Sequence, residues 1–281
     1  MTDLSGRVAV VTGASRGVGR GVAVELGTAG ATVYVTGRSV ADDRTENLPG
    51  TVDATAEAVT AAGGTGIAVR CDHTDDEDVR LLFERMTSEQ GRLDLLVNNA
   101  WGGYEGYDES FDAPFWEQST RRWDAMFDAG VRPAFTASRL AVPLLRRSER
   151  GLIVTVSAGD GPKYRGSLPY DVAKTAVERL GRAMAYELRE AETAVTSLVV
   201  QPGFTRTERV EATFAEAGAA VPAETHSPAF VGRVVAALAG DPNVGARTGT
   251  VARVAELARE YDVVDVDGRR PEPFSLDTPA I

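Results

Sequence analysis

The chain has 281 residues, 43% apolar and 25% charged, a balance that fits one large α/β domain or two small ones. Its formal charge of -11 argues against non-specific binding to nucleic acid or an anionic membrane, and the acidity reads first as solubility. Cys71 is the only cysteine, so no intrachain disulfide forms and a reducing compartment fits. Residues 1–7 are polar and lack a signal-peptide pattern, and no apolar run approaches the ~18 residues of a membrane span. The expected location is the cytoplasm.

Short β-branched runs at 7–12, 31–36, 66–71, 93–98, 151–157 and 194–200 alternate with longer helical stretches, and a seventh run lies near 248–254. Such runs suit a sheet covered on both faces, and helices between them imply parallel crossovers. The rhythm predicts one doubly wound α/β domain with ligands at the carboxyl ends of the strands. Three stretches break it, at 39–50, 101–120 and 208–228. The first reads as a surface insertion. The other two follow strand ends, where substrate loops belong. The acidic run Asp75-Asp76-Glu77-Asp78 reads as a helix amino-terminal cap.

The turn TGASRGVG at 12–19 follows the first strand and opens the first helix. Gly13, Gly17 and Gly19 allow a sharp turn and close approach of a phosphate, while the helix end offers unpaired N–H groups and a positive dipole. With Ser15, Arg16 and Val18 between its glycines, this turn is the candidate seat for a dinucleotide pyrophosphate.

Tyr170 and Lys174 lie one helical turn apart, which puts both side chains on one face. An ammonium beside a phenol favours the phenolate and brings a group of pKa about 10 toward the range useful for proton transfer. Tyr164 and Tyr186 have leucine and glutamate at the same offset, so Tyr170 alone of the three carries the lysine.

The spacing G-x-x-x-G-x-G, the run Asn98-Asn99-Ala100 and the Tyr170/Lys174 pair together resemble the short-chain dehydrogenase/reductase family, over about residues 8–207. The resemblance implies a single-domain Rossmann-type sheet and a nicotinamide cofactor, with a cofactor half at about 1–130 and a catalytic and substrate half at about 131–281. It implies hydride transfer between that cofactor and a carbonyl or secondary alcohol. Tyr170 would be the acid or base, Lys174 would lower its pKa and bond the ribose, and Ser157 would stabilise the substrate oxygen. It also implies adenine contact by Asp72, with His73 at that pocket's edge, and nicotinamide contact by Pro202, Gly203 and Thr207. Homodimers or homotetramers are common in such proteins.

The second strand ends Thr36-Gly37-Arg38-Ser39, without the carboxylate that would bond a ribose 2′-hydroxyl and repel a 2′-phosphate. Arg16 and Arg38 are suited to a phosphate dianion, so NADP(H) is expected over NAD(H). His73, His226 and Cys71 form no metal-ligand pattern.

Two positions depart from the family pattern. Gly130 stands where such proteins carry an asparagine that anchors a proton-relaying water, and glycine inside a helix costs about 1 kcal/mol relative to alanine. Trp101 replaces the glycine after Asn-Asn-Ala. With Tyr104, Tyr107, Phe111, Phe115 and Trp116 it would wall the pocket for a bulky apolar or aromatic carbonyl, or else pack its own loop or a subunit contact. The texture of the carboxyl third, at 226–233, 236–243 and 265–269, resembles the branch of dehydrogenase/reductase member 1, which also carries glycine at the position of Gly130. A dinucleotide-binding sensor or scaffold of weak activity, enoyl reduction and epimerisation are the alternatives on the same fold.

Overall fold

The first six predicted strands form within two residues of their expected ends: β1 Val8–Val11, β2 Thr32–Gly37, β3 Thr65–Arg70, β4 Leu95–Asn98, β5 Leu152–Val156 and β6 Thr196–Gln201. The seventh, β7, is shorter, at Val251–Arg253. The computed structural model describes residues 2–105, 110–159 and 161–278. The strands join into one seven-stranded sheet in the order β3-β2-β1-β4-β5-β6-β7, every pairing parallel.

Helices cover both faces: α1 Gly17–Thr28, α2 Val52–Ala61, α3 Asp76–Glu89, α4 Thr120–Met126, α5 Arg132–Leu145, α6 Leu168–Glu190, α7 Glu208–Glu216, α8 Pro228–Gly240 and α9 Val254–Glu260. The pleat divides the apolar strand residues between two cores. Ala9, Val11, Val33, Val97 and Val154 pack with Leu26, Val59, Phe230 and Leu257 on the side of α1, α2, α8 and α9. Val8, Val10, Tyr34, Leu96 and Ile153 pack with Leu82, Met86, Ala141 and Leu188 on the side of α3, α5 and α6. Burial on both faces is why these strands read as continuous apolar runs.

Helix starts follow the local chemistry. Thr51, Asp75, Ser119, Thr207 and Ser227 each accept a hydrogen bond from an N–H of the first turn of α2, α3, α4, α7 and α8. The first turn of α3 carries Asp76, Glu77 and Asp78, as its acidic sequence implies. Helix α1 differs, because Arg16 precedes it without a side-chain cap. Its amide groups are left for another acceptor. Far from that end, the tail motif after residue 264 is structural: Asp265 accepts from the Ser227 backbone N–H (2.9 Å) and from the Ser227 hydroxyl.

β1 and β4 are neighbours at the sheet centre, and the chain leaves them toward opposite edges. That reversal opens a crevice at their carboxyl ends, where the glycine turn and the loop after β4 meet. Among the described residues no helix is long and apolar enough to cross a membrane.

α1 and α8 approach through a pair of glycines. A Cβ at Gly232 would lie 2.4 Å from the Gly21 carbonyl oxygen, and one at Gly21 would lie 2.3 Å from the Pro228 backbone. Gly232→Val is therefore expected to lower stability by about 1–3 kcal/mol, read as a fall in the denaturant midpoint. An unchanged midpoint would mean that the two helices can part without cost.

Candidate active site

The glycine turn is held open by the loop after β4. The Thr12 hydroxyl accepts hydrogen bonds from the backbone N–H groups of Asn99 and Ala100, both at 2.9 Å. The Asn99 side-chain amide donates back to the carbonyls of Thr12 and Gly13, both at 3.0 Å. Gly13 has φ +64° and Gly17 φ +56°, and a Cβ at Gly13 would lie 2.8 Å from the Ala100 Cα. Only glycine fits this brace. Asn99 thus shapes the turn from behind while also lining the cavity above it.

That cavity, of about 600 Å³, gathers Gly13, Ser15, Arg16, Gly17, Val18, Arg38, Asp72, Asn99, Ala100, Trp101, Ser157, Tyr170, Lys174, Pro202, Gly203 and Thr207. Two expected cofactor residues stand outside it. Gly19 packs beneath, where a Cβ would meet the Asn99 amide at 2.4 Å. Asn98 is buried behind Trp101 and donates to the Ser138 hydroxyl at 2.8 Å. His73 is buried at the cavity edge, paired with the Thr36 hydroxyl at 2.8 Å. Burial pushes its imidazole down to about 4, so it stays neutral near pH 7.

Carboxylates occupy the cationic and N–H groups around this cavity. Glu208, first residue of α7, accepts from the Gly17 N–H at 2.8 Å and so supplies the cap that α1 lacks. Glu105 takes both of its bonds from Arg38 Nη2, at 2.6 and 2.8 Å. Arg209 pairs with Glu46 across from α7 to the 39–50 segment. Arg16 is committed to that same segment, donating to the Ser39 hydroxyl (2.7 Å) and to the carbonyls of Thr45 (3.1 Å) and Gly50 (3.3 Å). The 39–50 stretch expected as a surface insertion is therefore one wall of the cavity.

Tyr170 and Lys174 face the cavity from the first two turns of α6, and Ser157 follows β5. The Ser157 hydroxyl donates to Glu178 Oε1 at 2.9 Å. The same oxygen accepts from Arg165 (2.8 Å) and from Gln201 (2.8 Å). Arg165 is buried and also pairs with Asp171 at 2.9 Å. This network fixes Ser157 against α6.

The Lys174 amine differs from expectation in its partner. It lies 3.6 Å from the ring centroid of Trp101 and 5.7 Å from that of Tyr170. Burial pushes it down to about 7, with Arg165 adding to the shift and Glu178 opposing it. The Tyr170 phenol is moved up from 10.0, not down, because burial outweighs the hydrogen bond from Tyr104 and the Arg165 charge. Around Tyr170 stand Trp101, Tyr104 and Phe111, with ring centroids 5.5, 5.8 and 5.5 Å away.

Of the expected wall aromatics, Trp101 and Tyr104 line the cavity, and Phe111 packs against Tyr170 outside that lining. Phe115 and Trp116 are instead 59% and 73% exposed and pack edge-on against each other, and Tyr107 lies outside the described residues. Sequence reasoning missed Glu105, Arg165, Glu178 and Glu208. Glu178 could have been found, since it is one further turn along the Tyr170–Lys174 face. Arg165 and Glu208 carry no comparable local signal.

The sign of the lysine shift gives a direct expectation. In the free protein Lys174 is an ammonium below pH about 7 and neutral above it. The chain has only two lysines, Lys163 and Lys174, so lysine-ε-carbon NMR resolves the titration. A midpoint near the ordinary 10.5 would show the amine in water.

A family model described as short chain dehydrogenase matches residues 7–218. The chain is 38% identical over 280 residues to the mouse protein "Dehydrogenase/reductase SDR family member 1", covering 96% of this chain and 86% of that one. Its structure superposes on a putative dehydrogenase from Xanthomonas campestris with a TM-score of 0.80 at 24% identity, covering 99% and 100% of the two chains. It also superposes, at TM-score 0.73, 23% identity and 95% and 96% coverage, on a 7α-hydroxysteroid dehydrogenase complexed with NADH and 7-oxo glycochenodeoxycholic acid. The chain therefore belongs to the short-chain dehydrogenase/reductase family of oxidoreductases, in the branch that holds dehydrogenase/reductase SDR family member 1.

Proposed function

We propose that the protein moves hydride between NADP(H) and a carbonyl or secondary alcohol, with Tyr170, Lys174 and Ser157 as its catalytic residues. The observation that carries this reading is the convergence of those three side chains on the cavity that the glycine turn opens. The Glu208 carboxylate on the Gly17 N–H supports the fit of an anionic cofactor, because it marks that amide as a ready donor to a phosphate oxygen.

Gly13, Gly17 and the start of α1 would hold the pyrophosphate, Asp72 the adenine side, and Pro202, Gly203 and Thr207 the nicotinamide side. When bound, the nicotinamide supplies or accepts the hydride. In the reducing direction the Tyr170 hydroxyl gives its proton to the carbonyl oxygen. Ser157 turns its hydroxyl from Glu178 toward the same oxygen and stabilises the charge that develops there. The Lys174 ammonium lowers the cost of the phenolate left on Tyr170. Trp101, Tyr104, Phe204 and Phe214 offer an apolar surface suited to a bulky or aromatic carbonyl. The exposed Phe135 and Val172 on α5 and α6 fit a homodimer or homotetramer, here read as cytoplasmic.

Tyr170→Phe is expected to lower kcat for NADPH-dependent carbonyl reduction by at least ~10²-fold with cofactor affinity unchanged. An equal rate would remove Tyr170 as the proposed acid.

For the cofactor choice, Arg38 is the cleaner probe, because Arg16 also anchors the 39–50 segment. Arg38→Ala is expected to weaken NADP(H) at least ~10-fold more than NAD(H), by loss of a forked charge-assisted contact to the 2′-phosphate. Equal weakening of both would contradict the NADP(H) reading.

A further inference from the structure

The two departures of the chain from its family meet in space. Residues Phe127–Val131 form a π-turn between α4 and α5, and the Gly102 N–H donates to the Ala129 carbonyl at 2.9 Å. This draws the loop after β4 against the turn. The Trp101 indole then lies directly against Gly130. A Cβ there would sit 2.4 Å from Cζ3, 2.8 Å from Cε3 and 3.0 Å from Cη2 of the ring. Such separations are far inside van der Waals contact, so the indole keeps its place only beside a glycine. The ring packs edge-on against Tyr170 at 90° and carries the Lys174 amine 3.6 Å from its centroid.

We infer that Trp101 is a positioning residue for Lys174, seated in the space that Gly130 leaves open, so that residues 101 and 130 work as one pair. The inference rests on the proposed role of Lys174 and goes beyond it. A cation over an indole face is attracted by the ring quadrupole, most strongly where water is excluded. Lys174 is 6% exposed, so the indole replaces hydration that the amine has lost. The contact also holds the amine beside the Tyr170 ring, its other aromatic neighbour. The charged groups that bear on the amine are Arg165 and Glu178, and they are paired with each other. Tyr170, with Tyr104 bonded to it, is the uncharged polar group beside the amine, its ring centroid 5.7 Å away, whereas the Ser157 hydroxyl bonds the Lys174 backbone carbonyl at 3.3 Å. The indole is therefore the contact partner of the amine whose removal leaves the charges around it unchanged.

The test uses the two lysines. Protein labelled at the lysine ε-carbon gives two signals, with Lys163 assigned by Lys163→Arg. In the parent protein the Lys174 methylene signal is expected upfield, under the ring current of the indole. Trp101→Leu should abolish that displacement and move the Lys174 titration about one pH unit lower, roughly tenfold in proton affinity. Trp101→Phe keeps an aromatic face and should fall between the two, and it serves where the leucine variant folds poorly. The lysine-dependent limb of the kcat–pH profile should move with the titration. Gly130→Ala should displace the ring and lower kcat about tenfold alone, yet add nothing in the Trp101→Leu background, since it acts only through the ring. Lysine signals unchanged by Trp101→Leu, or additive losses in the double variant, would overturn the pair. Lysine signals that move while the kcat–pH profile stays fixed would leave the contact standing. They would overturn the catalytic reading of Lys174, and with it the positioning role.

Discussion

A buried ammonium must be surrounded by something other than water, and the centre of this molecule is arranged around that requirement. Taking such an ion out of water costs several kcal/mol even after the protein relaxes. Lys174 meets that cost with an indole face in contact and with the Glu178 carboxylate nearby, while Arg165 works against its charge. The indole in turn needs a glycine beneath it, and the glycine sits in a π-turn that lets the loop after β4 close down. A weakly held, low-pKa amine next to a phenol is poised to change charge when a ligand arrives, which is the property acid–base work on a neighbouring oxygen requires.

A second theme is competition among anions. Glu208 on the Gly17 N–H, Glu105 on Arg38 and Glu46 on Arg209 place carboxylates on groups that also suit phosphate oxygens. Two of these contacts tie α7 to the glycine turn and to the 39–50 segment. On the proposed reading, a dinucleotide exchanges these carboxylates for its own phosphates, so binding and the position of α7 are linked through the same few groups. The net charge of -11 then has a local meaning near the cavity besides solubility.

The parts legible in the sequence are those set by short-range pattern. Apolar runs buried on both faces fixed the strands to within a few residues, and Asp75 with its acidic followers marked the start of α3. The glycine turn and the Tyr170–Lys174 spacing located the cavity because both are local signatures of backbone shape and helix face. What stayed hidden depends on contacts distant in the chain. Trp101 and Gly130 read as two unrelated departures, whereas one is the steric condition for the other. The 39–50 segment read as a surface insertion, although Arg16 binds it into the cavity wall. Lys174 was expected beside the phenol and the cofactor ribose. The free energy of burial and the nearby indole, neither visible in a four-residue spacing, decide where its amine rests.

The central claim is hydride transfer assisted by a proton from Tyr170, and isotope transfer addresses it most directly. NADPH carrying deuterium at the nicotinamide C4 is incubated with a panel of aromatic and aliphatic ketones, and the alcohol products are examined for label. The account requires deuterium on the carbinol carbon and a solvent-derived proton on its oxygen. Tight cofactor binding with no labelled alcohol from any ketone, or label on a former alkene carbon, would contradict it.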